Sequence, residues 1–116
     1  MTRNEKIAEK MGWEGKLHPR TGFTYIYPSG FNINQIGEDS KEGHWLAHLL
    51  IERMVGDGVQ FVYAQDDEHG TSATAYKLNS KAEWDEFTIQ IKTHNLADFP
   101  AAVVELFCRV YGIKED

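Results

Sequence analysis

Two histidines and a carboxylate lie at helical spacing in the middle of the chain. His44, His48 and Glu52 follow one another at intervals of four in the segment KEGHWLAHLLIERMVGDG. Residues four apart share one face of an α-helix, so the two imidazoles and the carboxylate would form one stripe. Catalytic zinc is bound by such nitrogen and oxygen ligands, with one position left for water. The spacing makes a metal-dependent hydrolase one candidate function.

The segment nevertheless departs from the zinc-protease motif. That motif needs glutamate directly after the first histidine, where this chain has Trp45. A further ligand would have to come from His69 or His94, whose positions in space the sequence does not give. The stripe also lies opposite Leu46 and Leu50, which is typical of an ordinary solvent-exposed helix face. We therefore predict no metal and no other cofactor.

A second group of residues could recognise a small anionic ligand. It lies in the segment LHPRTGFTYIY and consists of His18, Arg20, Tyr25 and Tyr27. A cation, hydroxyl donors and flat ring surfaces are what a phosphorylated or nucleotide-like molecule requires. Tyrosine is also frequent in cores and in protein interfaces. A nucleotide-like ligand is accordingly one alternative, and a host protein partner is the other.

The sequence has no further motif for catalysis. The acidic segment DDEHG at residues 66–70 lacks the alternate spacing and central glycine of a calcium loop, and it predicts an exposed turn. No nucleophile elbow, phosphate-binding glycine loop or cysteine–histidine pair is present. The single cysteine, Cys108, lies in an apolar run and is expected to be a buried, unreactive thiol. These observations favour a protein that is not an enzyme.

Composition limits the class of protein and its partners. The chain has 116 residues, 41% of them hydrophobic and 26% charged, which predicts one globular domain over residues 1–116. A formal net charge of −6 argues against binding to nucleic acid or to an anionic membrane. No apolar stretch is long enough to span a bilayer, and a lone cysteine fits a reducing compartment. We predict a cytoplasmic protein.

The first elements are predicted from capping residues and turn formers. Thr2 and Glu5 have the spacing of a capping box, which predicts a helix over about residues 3–11 that ends at Gly12. Alternation in FTYIY predicts a short strand over about residues 23–27, at the edge of a sheet. The following FNINQIGEDSKEG is predicted to be a loop that supplies an N-cap, either Asp39 or Ser40.

The main amphipathic helix follows that loop. Leu46, Leu49, Leu50 and Met54 fall on one face, and the helix is expected to end at Gly56. The segments VQFVYAQ and TSATAYKL then predict a hairpin with Val59, Phe61 and Tyr63 on one face.

A third strand is predicted after the hairpin. Ser80 and Glu83 suggest a capping box, whereas Phe87, Ile89 and Ile91 alternate with polar residues. We interpret this segment as one turn followed by a strand over about residues 86–93.

The last helix is apolar around most of its circumference. Asp98 is its predicted N-cap, Pro100 lies in its first turn, and Gly112 follows its end. Such a helix is either a covered core element or part of a subunit interface. For the second alternative, a homo-oligomer, the candidate interface residues are Val104, Leu106 and Tyr111.

These elements predict a layered α+β fold whose antiparallel sheet of about three or four strands packs with helices. The opening MTRNEKIAEKMGW, with Gly12 and Trp13, and the closing DFPAAVVELFCRVYGI resemble the phage ABA sandwich domain family. The resemblance implies a layered α-β-α sandwich and a small phage or prophage protein without a catalytic motif, located in the host cytoplasm. The function it implies is binding, either to a host immune component that it blocks or to a signal nucleotide that it sequesters.

Overall fold

The structure, a computed structural model, describes residues 1–27, 30–66, 70–91 and 99–114. Within these residues the chain forms three α-helices and two three-stranded antiparallel sheets. The helices are α1 (Arg3–Lys10), α2 (Lys41–Gly56) and α3 (Phe99–Tyr111). The strands are β1 (Glu14–Leu17), β2 (Thr24–Tyr27), β3 (Phe31–Asn32), β4 (Gln60–Asp66), β5 (Gly70–Leu78) and β6 (Trp84–Ile91).

Helix α1 begins and ends at the residues that the sequence indicated. The Thr2 side chain accepts a hydrogen bond from the amide of Glu5 at 3.2 Å, which satisfies one free donor of the first turn. The Thr2 hydroxyl also donates to the Glu5 carboxylate at 3.1 Å. Gly12 has a φ of +76°, and the chain turns there into the smaller sheet. The predicted first helix is confirmed.

The smaller sheet was predicted only in part. Its strand order is β1-β2-β3, so the predicted strand, β2, is the middle strand, and its prediction as an edge strand was wrong. The four residues of β1 are all exposed. Because no face of this strand is buried, its sequence EGKL needs no alternation of apolar and polar residues and gave no sign of a strand. The segment predicted as a loop contains β3 and a 3-10 helix over Ile33–Gln35, because Asn32 and Gln35 form a capping box there.

Helix α2 is positioned by its N-terminal turn. The Ser40 side chain accepts from the amide of Gly43 at 3.0 Å, which confirms Ser40 as the N-cap. A Cβ at Gly43 would collide with the carbonyl oxygen of Glu38, so this turn packs directly on the chain that precedes it. Leu50 and Met54 are fully buried, and the helix ends at Gly56 as predicted.

The larger sheet is a meander of β4, β5 and β6. The predicted hairpin pairs Gln60 with Tyr76 and Asp66 with Gly70. Its turn residues 67–69 lie outside the described residues, as do residues 92–93 of the predicted third strand. The Ser80/Glu83 capping box was wrong, because the Asn79 side chain accepts from the amides of Lys81 and Glu83 at 2.9 and 3.0 Å. Strand β6 therefore already begins at Trp84.

Helix α3 lies across the inner face of the larger sheet and beside α2. Ala73 and Ala75 of β5 are fully buried, and their small side chains let the helix approach the sheet closely. Gly112, with a φ of +69°, follows the helix as predicted, whereas the predicted cap Asp98 lies outside the described residues. Cys108 is free and buried.

One core joins both sheets and all three helices. Its fully covered side chains include Ile7 of α1, Ile26 of β2, Leu50 of α2 and Phe107 of α3. The predicted α+β fold, with helices packed against an antiparallel sheet, is confirmed, and the structure has two three-stranded sheets where one sheet was expected. None of the described helices is long and apolar enough to cross a membrane.

Candidate binding surfaces

The histidine stripe of α2 packs on an aromatic ring. The imidazoles of His44 and His48 lie with their centroids 5.9 and 5.5 Å from the ring of Phe99, the first residue of α3. The Nε2 atom of His44 also lies 3.2 Å from an Asp39 carboxylate oxygen. Among the described residues, no three histidine, cysteine, aspartate or glutamate side chains are grouped to hold a metal ion. The predicted ligand set of His44, His48 and Glu52 is therefore not assembled, and both imidazole rings contact Phe99 instead.

The outward side of α2 forms one wall of a groove. The helix turns Leu46, Leu50 and Met54 inward, so Trp45 and His48 project on the other side. The groove has a volume of about 480 Å³, and we call it the Trp45 groove. Its lining residues are Phe31, Lys41, Glu42, His44, Trp45 and His48.

Trp45 dominates the surface of this groove. Its side chain is 56% exposed, although α2 is already anchored by its apolar stripe. The half-buried side chain of Phe31 on β3 also lines the groove. Lys41 and Glu42 contribute one charge of each sign. The groove offers aromatic surface to an apolar side chain, and its charged groups are suited to orienting the rest of a bound chain.

Aromatic contacts connect the groove to the larger sheet. The ring of Phe99, which both histidines contact, also lies edge-on to the ring of Tyr63 of β4, with the two centroids 5.0 Å apart. The Tyr63 hydroxyl is buried and has no hydrogen-bond partner among the described residues. An unpaired buried hydroxyl costs about 1–3 kcal/mol, and native proteins rarely retain one. Among the described residues, the buried side-chain group without a hydrogen-bond partner therefore lies directly behind the groove.

The residues predicted to bind an anionic ligand lie on the smaller sheet. Tyr25 and Tyr27 point away from the core because Ile26 between them points inward. The His18 ring meets Tyr25 edge-on at 5.7 Å, and His18 Nδ1 accepts from the Arg20 amide at 3.2 Å. Sequence reasoning missed Lys16, whose ammonium lies 4.9 Å from the centroid of the Tyr27 ring. Its position opposite Tyr25 in the β1–β2 register explains why it joins this face.

This group lies on open surface. His18 and Arg20 are exposed, and Tyr27 is 59% exposed. Sites for small molecules usually bury 70–90% of the ligand, whereas a ligand placed on this sheet would keep much of its surface in water. The geometry is less suited to a nucleotide-like molecule than the sequence suggested.

The predicted interface residues of α3 belong mainly to the core. Val104 and Leu106 are 1% and 0% exposed in the chain itself, so an interface through them would require the core to open. The alternative of a covered core element is the one that the structure supports. Tyr111 is half-buried and donates a hydrogen bond of 2.5 Å to Asp57, just after α2.

Asp57 and Tyr111 perturb each other's ionisation. The hydrogen bond from Tyr111, and then the one from Arg53 at 3.0 Å, lower the pKa of Asp57. Burial, and then the hydrogen bond to Asp57, raise the pKa of Tyr111. The contact therefore favours an ionised carboxylate and a neutral phenol, and it ties the end of α2 to the end of α3.

The outer face of the larger sheet is largely exposed among the described residues, and sequence reasoning missed it. Side chains alternate along each strand, so the residues between the buried ones point outward. We call this surface the outer sheet face. Its described side chains are Gln60, Val62, Ala64, Ser72, Thr74, Tyr76, Leu78, Trp84, Glu86 and Thr88. Val62 and Trp84 are 50% and 53% exposed.

No protein-family model, curated protein or solved structure matches this chain. The class of protein is therefore defined by the fold: an α+β protein in which helices pack against two small antiparallel sheets. The resemblance to the phage ABA sandwich domain family stays a prediction.

Proposed function

We propose that this protein acts by binding a protein partner at the Trp45 groove, without a catalytic step. The observation that carries the proposal is the exposure of Trp45, 56%, beside the half-buried ring of Phe31. Tryptophan is among the residues most enriched at the energetic centres of protein interfaces. An exposed tryptophan that the apolar stripe of its own helix does not need is best explained by a partner.

The shape of the groove supports a protein partner rather than a small molecule. Trp45 and His48 are exposed, so the groove is open to solvent along α2. A partner segment can place one apolar side chain in the groove, against Trp45 and Phe31, while its backbone stays above the groove. Lys41 and Glu42 offer one charge of each sign, so either an acidic or a basic group of the partner can pair with the groove and orient the bound segment.

The resemblance of the terminal segments adds a biological setting to the proposal. In a phage or prophage setting, the partner is a host protein, and the activity that we propose is the blocking of a host defence component. Sequestration of a signal nucleotide near His18, Arg20, Tyr25 and Tyr27 is less well supported, because that surface is open.

The test compares two exposed aromatic residues on different surfaces. Tagged wild-type protein, Trp45→Ala and Phe23→Ala are used to capture partners from a bacterial host extract, and any retained protein is purified and titrated by calorimetry. Phe23 is a matched control because it is aromatic, 50% exposed and not among the residues that line the groove. We expect one protein to bind the wild type and Phe23→Ala, and to bind Trp45→Ala at least about tenfold more weakly, as for an interface anchor.

Two results would contradict the proposal. One is equal binding of the same partner by all three proteins, which would place the contact elsewhere. The other is a native mass spectrum with a retained nucleotide-like molecule and no protein partner in the capture.

A further inference from the structure

Helix α1 carries its opposite charges on two separate flanks. Arg3, Lys6 and Lys10 recur at i, i+3 and i+7, a spacing that places three side chains on one flank of a helix. Glu5 and Glu9, four residues apart, share the other flank. Lys6 and Lys10 line a cavity of about 410 Å³ between α1 and the residues that follow α3. The basic flank of α1 therefore borders a concave part of the surface.

Residues at the end of α3 extend the basic flank. The Lys6 Nζ atom donates to the carbonyl oxygen of Lys114 at 2.9 Å, and Lys114 lines the same cavity. Arg3 and Arg109 line a second cavity of about 430 Å³. Ile113 lines both cavities, so the two cavities adjoin. The cations of α1 and those at the end of α3 thus form one continuous group.

Two lysines meet at the ring of Tyr111. The Nζ atom of Lys10 lies 5.0 Å from the ring centroid, and that of Lys77 in β5 lies 5.9 Å from it. Arg53 of α2 donates to the carbonyl oxygen of Lys10 at 3.2 Å, which brings a third cation to this place. Neither Lys10 nor Lys77 forms an ion pair with a described carboxylate. Cations from α1, α2 and β5 therefore converge on one tyrosine, where their mutual repulsion favours a bound anion.

Together these residues form a surface of excess positive charge, which we call the basic surface. Its cations are seven of the chain's twelve lysine and arginine residues: Arg3, Lys6, Lys10, Arg53, Lys77, Arg109 and Lys114. Among the described residues, four of the chain's eighteen carboxylates line its cavities, pair with its cations or lie opposite one of them in the strand register: Glu9, Asp57, Asp85 and Glu105. Glu115 and Asp116, which follow Lys114, lie outside the described residues. A chain with a net charge of −6 thus gathers most of its cations on one surface.

We infer that the basic surface binds an acidic segment of a partner protein. The occupant is argued from charge complementarity, because the net charge of the chain repels anions while the basic surface attracts them. Arg3 and Lys10 lie about 10 Å apart along α1, and the surface continues past Tyr111 to Lys77. That length exceeds a single phosphate or carboxylate group and fits a chain with several acidic side chains. The basic surface shares no lining residue with the Trp45 groove, so this contact goes beyond the proposed function.

The same surface is less suited to a nucleic acid strand. Carboxylates lie among its cations, and they would repel an unbroken row of phosphates. Single-stranded nucleic acids also need free aromatic faces on which bases stack. The ring of Tyr111 packs on Phe107, with centroids 4.5 Å apart, and two lysines lie over it. A protein segment with spaced acidic side chains can pair with the cations and avoid the carboxylates.

The test measures binding of a labelled peptide in which glutamate alternates with serine, about twelve residues and about 40 Å long when extended. Fluorescence anisotropy at about 0.05 M salt follows binding to wild type, Lys10→Gln, Lys77→Gln and Lys16→Gln. Lys16 is a matched control because it is an exposed lysine whose Nζ atom lies 4.9 Å from the ring centroid of Tyr27. Circular dichroism checks that each variant is folded.

We expect wild type to bind the peptide with a dissociation constant on the order of 10–100 µM, and the affinity to fall as salt is raised to about 0.5 M. Lys10→Gln and Lys77→Gln should each bind at least about threefold more weakly, and Lys16→Gln should stay within about 1.5-fold of wild type. No binding by wild type, or equal losses in all three variants, would overturn the inference. Tighter binding of a single-stranded DNA of the same length would also overturn it, in favour of a nucleic acid.

Discussion

Helices α2 and α3 lie side by side, yet they present different surfaces. Helix α3 buries residues around nearly its whole circumference, from Ala102 and Val103 to Cys108 and Val110. Helix α2 buries one stripe, and it leaves Trp45 and His48 exposed. Both helices are rich in apolar residues, so their composition alone does not distinguish them.

The difference separates apolar residues that are needed to form the core from apolar residues that are not. Each buried side chain of α3 has a neighbour, because the larger sheet lies on one side, α2 on another and α1 nearby. Leu46, Leu50 and Met54 already anchor α2, so Trp45 adds exposed apolar surface that folding does not require. Exposed aromatic residues outside an anchoring stripe are therefore better candidates for function than apolar residues that complete one.

The largest expected loss of stability is at Leu106, which belongs to the buried helix α3. Leu106→Asp places a carboxylate at a fully covered position without a partner, and the protein should not fold cooperatively at 25 °C. Circular dichroism during urea titration measures this. The control is Ala101→Asp, at an exposed position in the first turn of α3 where a carboxylate is favourable. A folded, soluble Leu106→Asp variant would show that α3 is not the core element described here.

A smaller effect is expected where the two helices are joined. Asp57 has a lowered pKa, first because of Tyr111 and then because of Arg53, so its ionised form stabilises the fold above the ordinary carboxyl pKa of about 3.9. That contribution is lost as the pH falls from about 4 through the lowered pKa of the folded state. Asp57 is 42% exposed, so the loss should be modest.

Tyr111→Phe isolates this contact. The variant keeps the ring that packs on Phe107, with centroids 4.5 Å apart, and removes the hydroxyl. Its free energy of unfolding, measured by urea titration from pH 6 down to about pH 3, should fall less steeply than that of the wild type. Parallel curves for the two proteins would show that Tyr111 does not hold the Asp57 carboxylate.

Much of the fold could be predicted from local signals. Thr2, Ser40 and Gly112 mark helix ends because capping depends on residues that are close in sequence. Alternation along β4 and β6 indicated the larger sheet because its inner face is buried. Strand β1 gave no such signal, since all four of its residues are exposed.

The candidate binding surfaces could not be predicted, because they depend on contacts between residues that are far apart in the sequence. The spacing of His44 and His48 predicted a common stripe, but the ring of Phe99 that both contact is distant in the chain. Trp45 served in the sequence only as an argument against a zinc motif, because its exposure depends on how α2 packs. The outer sheet face became apparent once the strand register was known.

The most direct test of the account is whether Trp45 is needed for folding. The free energy of unfolding is measured by urea titration for wild type, Trp45→Ala and Phe107→Ala, a fully buried residue of α3. We expect Phe107→Ala to lose about 3–5 kcal/mol, as for a large core residue, and Trp45→Ala to lose about 1 kcal/mol. A loss of more than about 2 kcal/mol in Trp45→Ala would show that Trp45 is held for stability, and would contradict its assignment to a binding surface.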